Sequence, residues 1–177
     1  MKKFVLFLLF TFLSSPCFAE ETIYLDETWD KEASKILYEH CLSESDLTPE
    51  KAYEFFGYKL SDARALFYDL NSDGINEIIG YINAPYFWCR EGMALFILRK
   101  NDNNYDNILN CINFYPENGV KILDTKTAGY YDFERFLTKI NFTAGSNKPL
   151  TYTYGSSGIA KYNQESKYYE NIFSIIK

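Results

Sequence analysis

The chain has 177 residues, with 24 acidic side chains against 18 basic ones, a single histidine and a formal net charge of −6. A surface of that sign repels polyanions, so nucleic acid and bare anionic membrane are poor partners, whereas cations or a basic protein are attracted. The length suits one ordinary domain and leaves no room for a second.

In chain order the first segment is MKKFVLFLLFTFLSSPCFA, residues 1–19. Two lysines, an apolar run from Phe4 to Leu13 and small or turn-forming residues ending at Ala19 predict an export signal cleaved after Ala19. The run is well short of the roughly 20 apolar residues that cross a bilayer, and Pro16 ahead of Cys17 argues against a lipidated cysteine. The expectation is a mature domain of residues 20–177, periplasmic or secreted and without a membrane segment. Cleavage removes Lys2 and Lys3, leaving 16 basic residues against 24 acidic ones, a net charge of about −8 with His40 neutral.

Three cysteines remain: Cys41, Cys89 and Cys111. In an oxidising compartment two of them are expected to pair. Sequence leaves all three pairings open, with a bridge through Cys89 preferred because that residue sits in a loop beside glycine. One histidine and no C-x-x-C spacing make no ligand set for structural zinc.

Residues 20–27 read as a loose leader. Thr28 offers an N-cap ahead of Asp30 and Glu32, and Trp29, Ala33, Ile36, Leu37 and His40 follow at helical spacing, which predicts an amphipathic helix to about residue 42. His40 lies on or beside the apolar stripe with no partner near it in sequence, so it reads as structural. A second helix begins at Thr48-Pro49, with proline where its missing N–H costs nothing, carries Ala52, Phe55 and Phe56, and stops at Gly57.

From residue 61 the pattern changes to short β-type runs separated by turn residues. Strands are expected at 64–68, 75–82, 93–99, 105–115, 120–124, 136–142, 150–154 and 159–162. Hairpin turns are expected at 101–104, 117–119 and 155–158. Ser166 to Ile176 reads as a short helix. No repeat is visible, which excludes a propeller or solenoid built from this chain alone. The predicted architecture is α+β, an antiparallel β meander of seven or eight strands with two N-terminal helices packed on one face.

The segment DLNSDGINE, residues 69–77, gathers oxygen-bearing side chains around Gly74. Asp69, Asn71, Asp73 and Glu77 stand at positions one, three, five and nine, and Ile75 at seven would offer its backbone carbonyl. Short carboxylates alternating along a curled backbone suit calcium, a hard cation that takes six to eight oxygens. Position twelve is Gly80 rather than a bidentate glutamate, and the flanks read as strands, so an EF-hand is excluded. A metal-free turn capped by its own Asp and Asn side chains is the other reading.

The loop resembles the strand–loop–strand calcium motif of FG-GAP and VCBS repeats, whose Asp-x-Asn-x-Asp-Gly-x-x-Glu consensus is matched by Asp69, Asn71, Asp73, Gly74 and Glu77. One copy does not imply the propeller. The longer run RALFYDLNSDGINEIIGYI, with PYFWCREG and MALFIL after it, is similar to a group of small exported bacterial proteins of uncharacterised function. These carry a single such hairpin followed by a C-G-x-G-G-C loop. This chain keeps Cys89 and Gly92, but the second cysteine has become Met93 or is missing, so the local disulfide implied by the resemblance is not expected here.

Tyr86, Phe87 and Trp88, with Arg90 beside them, form a run of the side chains that dominate binding energy at protein interfaces. With aromatics at 19% of residues, ring packing in the core is the competing explanation. No carboxylate pair is singled out for acid–base work apart from those in the acidic loop, and Ser156-Ser157 between glycines reads as a turn. No catalytic residue is assigned. Two functions remain: an exported non-catalytic binding module, calcium-stabilised, that binds or neutralises another, basic or secreted, protein; or a small calcium-assisted hydrolase acting on envelope glycan or peptide.

Overall fold

The computed structural model describes residues 20–89, 92–109, 112–136, 140–144, 150–154 and 156–175. The expected export signal, Arg90 and Cys111 lie outside them. The fold is α+β, with two helices and antiparallel sheets.

Helix α1 spans Lys31–Glu44 and α2 spans Pro49–Phe56. The N-cap of α1 is Asp30, not Thr28: its Oδ1 accepts from the N–H groups of Glu32 and Ala33 at 2.8 and 2.9 Å, whereas Thr28 closes a preceding turn onto the Tyr24 carbonyl. The buried face is accordingly Ala33, Ser34, Leu37, Tyr38, Cys41 and Leu42. Trp29 precedes the helix and is exposed, and His40 sits beside the stripe rather than on it. Helix α2 follows expectation, with Thr48 as cap, Pro49 first and Gly57 left-handed at φ 71°.

Strands β1 (Glu21–Ile23), β2 (Ala63–Tyr68), β3 (Glu77–Ile82), β4 (Trp88–Cys89), β5 (Gly92–Asn101), β6 (Asn104–Asn107) and β7 (Asn113–Phe114) come before the midpoint of the β region. After them run β8 (Val120–Thr127), β9 (Tyr130–Phe136), β10 (Ile140–Ala144), β11 (Leu150–Tyr154), β12 (Ser156–Asn163) and β13 (Tyr168–Ile175). They form not one meander but a first sheet ordered β2-β3-β5-β4 with β6 and β7 also on β5, a second ordered β1-β8-β9-β12-β13, and a separate β10-β11 pair.

Several expectations change for identifiable reasons. The leader contains β1, which pairs with β8 through Ile23 and Val120. The 105–115 run breaks into β6 and β7, joined to β5 through Ile108 and Ile112. Of the run expected at 136–142, Phe136 ends β9 and 140–142 begin β10, while 137–139 lie outside the described residues. The C-terminal segment is strand β13, whose Tyr, Ile and Phe residues suit a pleated surface and pair with β12 over its full length. Residues 117–119 and the 155–158 region are not hairpins: β7 and β8, like β11 and β12, belong to different sheets.

The first sheet is covered on both faces. Ile79, Tyr81, Leu95 and Ile97 point toward the second sheet and pack with Val120, Ile122, Phe133, Tyr162 and Tyr169. Ala65, Ile78, Ile82 and Leu98 point toward Leu37, Tyr38 and Cys41 of α1. All six residues of β3 are buried, which is why it reads as a continuous EIIGYI run and not as an alternation. Each of its fully buried isoleucines contributes roughly 1.5–3 kcal/mol of apolar transfer. Gly80 sits where the helix crosses the sheet, and a Cβ there would lie 2.6 Å from the Arg64 carbonyl and 2.8 Å from Leu37 Cδ2. The outer edge of β2 is closed by the helix: Asp30 N–H donates to the Ala65 carbonyl at 2.8 Å and Ala65 N–H donates to Ser34 Oγ at 3.0 Å.

Candidate functional site

The acidic loop joins β2 to β3 in a strand–loop–strand hairpin in which Tyr68 faces Glu77. Its curl is held by its own side chains. Asp69 Oδ1 accepts from the N–H groups of Ser72 and Asp73 at 2.6 and 3.2 Å, and Asp69 Oδ2 accepts from Gly74 at 2.9 Å. Asn71 Oδ1 accepts from Asp73 N–H at 2.9 Å, and Asp73 Oδ1 from Ile75 N–H at 2.7 Å. Gly74 takes φ 83° and Ser72 φ 64°, the left-handed backbone that lets so short a turn close.

Glu77 differs from the others. It is 2% exposed, and its Oε2 accepts from Leu70 N–H at 2.9 Å. Burial, with Asp73 and Asp69 adding like charge, raises its carboxyl to about 7 despite that hydrogen bond.

The donor set suits a hard cation in kind, being oxygen throughout. As arranged, Asp69 and Asp73 serve the loop's own amides, Asn71 Nδ2 donates to Asp73 Oδ2 at 2.8 Å, and Ile75 is exposed. Among the described residues no three His, Cys, Asp or Glu side chains are gathered closely enough to hold a metal ion.

Tyr86 and Phe87 lie on the helix-covered side of the first sheet, whereas Trp88 pairs across from Met93, which packs against the cluster between the sheets. Phe87 turns inward, its ring 5.0 Å from Tyr58 and 5.8 Å from Phe96. Tyr86 lies 4.4 Å from Phe56 of α2 yet is 52% exposed, and Trp88 is 53% exposed. Phe55, adjoining Phe56 at 6.4 Å, is 65% exposed. The result is a surface of rings shared between α2 and the segment after β3, to which sequence reading assigned only the second half.

His40 has charged neighbours that linear sequence hides. Glu44 one turn on, Asp106 of β6 and the Tyr105 backbone all favour its charged form, but burial outweighs them and lowers its pKa. Helical spacing could have revealed Glu44. The contribution of β6 required the tertiary fold. Cys41 is a buried free thiol, and the Cys89 side chain is not among those described.

No protein-family profile, curated protein or solved structure matches this chain.

Proposed function

We propose that the protein is an exported, non-catalytic binding module that takes another protein on the surface formed by Phe55, Tyr86 and Trp88, with calcium tuning its stability at the 69–77 loop. The observation that carries this reading is the exposure of Phe55 and Tyr86, linked through Phe56, with the Trp88 ring also exposed two residues on, where apolar side chains of that size are costly to leave in water. A net charge of about −8 after signal cleavage steers a basic partner toward it. Calcium would be held by Asp69, Asn71, Asp73, the Ile75 carbonyl and Glu77, once the Asn71 to Asp73 side-chain contact opens. The charges of Asp69 and Asp73 crowded beside the Glu77 carboxyl favour that uptake.

The second reading, a calcium-assisted hydrolase of envelope glycan or peptide, draws on Glu77, a carboxyl poised near neutrality. Its burial weighs against direct contact with a substrate. Capture from the native envelope by the unmutated chain, by the Tyr86→Ala, Trp88→Ala double variant and by Asp73→Ala separates the two. The module reading expects the double variant to lose a partner that Asp73→Ala retains. The hydrolase reading expects turnover that Asp73→Ala abolishes. A thermal midpoint unchanged by calcium overturns the metal assignment.

A further inference from the structure

We propose that a groove beside the C-terminal half of α1 binds a small zwitterion, an amino acid or short peptide, with its carboxylate on Arg99 and Lys167 and its ammonium on Glu44 and Asp106. The groove is separate from both the acidic loop and the aromatic surface. A cavity of about 330 Å³ is lined by His40 and Glu44 of α1, Arg99 of β5, Asp106 of β6 and Lys167 of the β12–β13 turn. That volume is at the small-molecule end of ligand pockets. His40, Glu44 and Asp106 also line an adjoining cavity that adds Glu39 and contains no lysine or arginine. The groove is therefore acidic toward one end and basic toward the other.

The charges lining it are not spent on each other. Arg99 donates to the Tyr162 hydroxyl at 3.1 Å, and Asp106 accepts from Asn101 at 2.9 Å. None of Arg99, Lys167, Glu44 and Asp106 appears in an ion pair among the described residues. Two cations and two anions facing one cavity without closing onto each other match a ligand that carries both signs. Helix α1 also has no basic residue in its last turn, so no side chain there offsets the negative end of its dipole. A lone cation is repelled by Arg99 and Lys167, and a polyanion by Glu39, Glu44 and Asp106.

Lys167 adds an independent observation. Its backbone holds φ 62°, left-handed geometry that glycine adopts without strain and lysine does not. A long cationic side chain is kept at the groove's rim at a conformational cost.

His40 is the only histidine in the chain, so its imidazole resonances report the middle of the groove without assignment. Glycylglycine, N-acetylglycylglycine and glycylglycinamide are titrated into the full chain while those resonances are followed. The expected result is a saturable shift with glycylglycine, with either capped form bound about tenfold more weakly, the loss of one charge-assisted contact. Glycine and a pentaglycine, run alongside, distinguish a free amino acid from a peptide by which binds more tightly. Lys167→Gly is expected to raise the thermal midpoint while weakening glycylglycine and leaving glycylglycinamide unchanged. Lys167→Gln, which keeps a polar side chain one atom shorter without the charge, should reproduce the binding loss. No saturable shift with any zwitterion up to about 10 mM, or equal binding of the capped and uncapped peptides, overturns the proposal.

Discussion

Lys126 of β8 donates to the backbone carbonyl of Asn71 at 3.1 Å. The same ammonium reaches Ser72 Oγ at 2.8 Å and lies 4.0 Å from the centre of the Tyr131 ring. Tyr131 N–H in turn donates to the Leu70 carbonyl at 2.7 Å. The acidic loop of the first sheet is thus latched to the second. Lys126→Met removes the charge from all three contacts and is expected to cost about 1 kcal/mol in urea denaturation. Because it also removes a positive charge beside the loop, calcium titrations should show tighter binding in the variant. An unchanged denaturation midpoint would mean the latch is cosmetic.

Glu77 makes stability depend on pH in an unusual direction. Its carboxyl is raised to about 7 in the folded chain, above the unfolded carboxylate range, so the folded state holds a proton that the unfolded state has released. Stability from this group is fully present at low pH and is lost as pH rises from about 4.5 through 7, by roughly 3 kcal/mol in total. Glu77→Gln keeps an acceptor for Leu70 N–H without the charge. Chemical denaturation at pH 5 and pH 8 should find the variant nearly neutral at the first and stabilised at the second. If the variant is no more stable than the parent at pH 8, the carboxylate is not strained there.

Gly80→Ala would push a methyl group into Ala65 and the Arg64 carbonyl beneath α1. A backbone carbonyl at 2.6 Å cannot step aside as a flexible side chain would, so the helix must lift from the sheet. The expected loss is about 3 kcal/mol, read from the thermal or urea midpoint.

The β8–β9 hairpin turns on Ala128 and Gly129, with Thr127 paired to Tyr130. Ala128 holds φ 51°, where a β-carbon is crowded and asparagine is better tolerated. Ala128→Asn should stabilise by about 0.5–1 kcal/mol, and a decrease in the melting temperature would contradict the turn geometry.

Burial, with Glu44 adding to it, pushes the Cys41 thiol up to about 12. At pH 8 roughly one such thiol in ten thousand is ionised, too few for ordinary alkylation. Iodoacetamide should leave Cys41 unlabelled until the chain is unfolded, and mass mapping of the oxidised protein should find no bridge at that position. Labelling of Cys41 in the native protein would show that α1 opens readily.

Local physics made much of this molecule legible from the residues alone. The cap and stop of α2, the strands flanking the acidic loop and the Asn101 to Asn104 hairpin each depend on contacts within a few residues, so proline, glycine and apolar alternation revealed them. The loop's Asx turns follow from side chains reaching backbone two to five positions away. What the sequence could not contain is the pairing of distant segments. Glu21–Ile23 is a strand because β8 presents an edge to it, and Tyr168–Ile175 is one because β12 does. The meander became two sheets because β3 and β5 are apolar on both faces and need a layer against each. The groove at His40 exists only where α1, β5, β6 and the β12–β13 turn converge. Charges more than fifty residues apart in the chain face one cavity there, and only tertiary packing decides which of them meet.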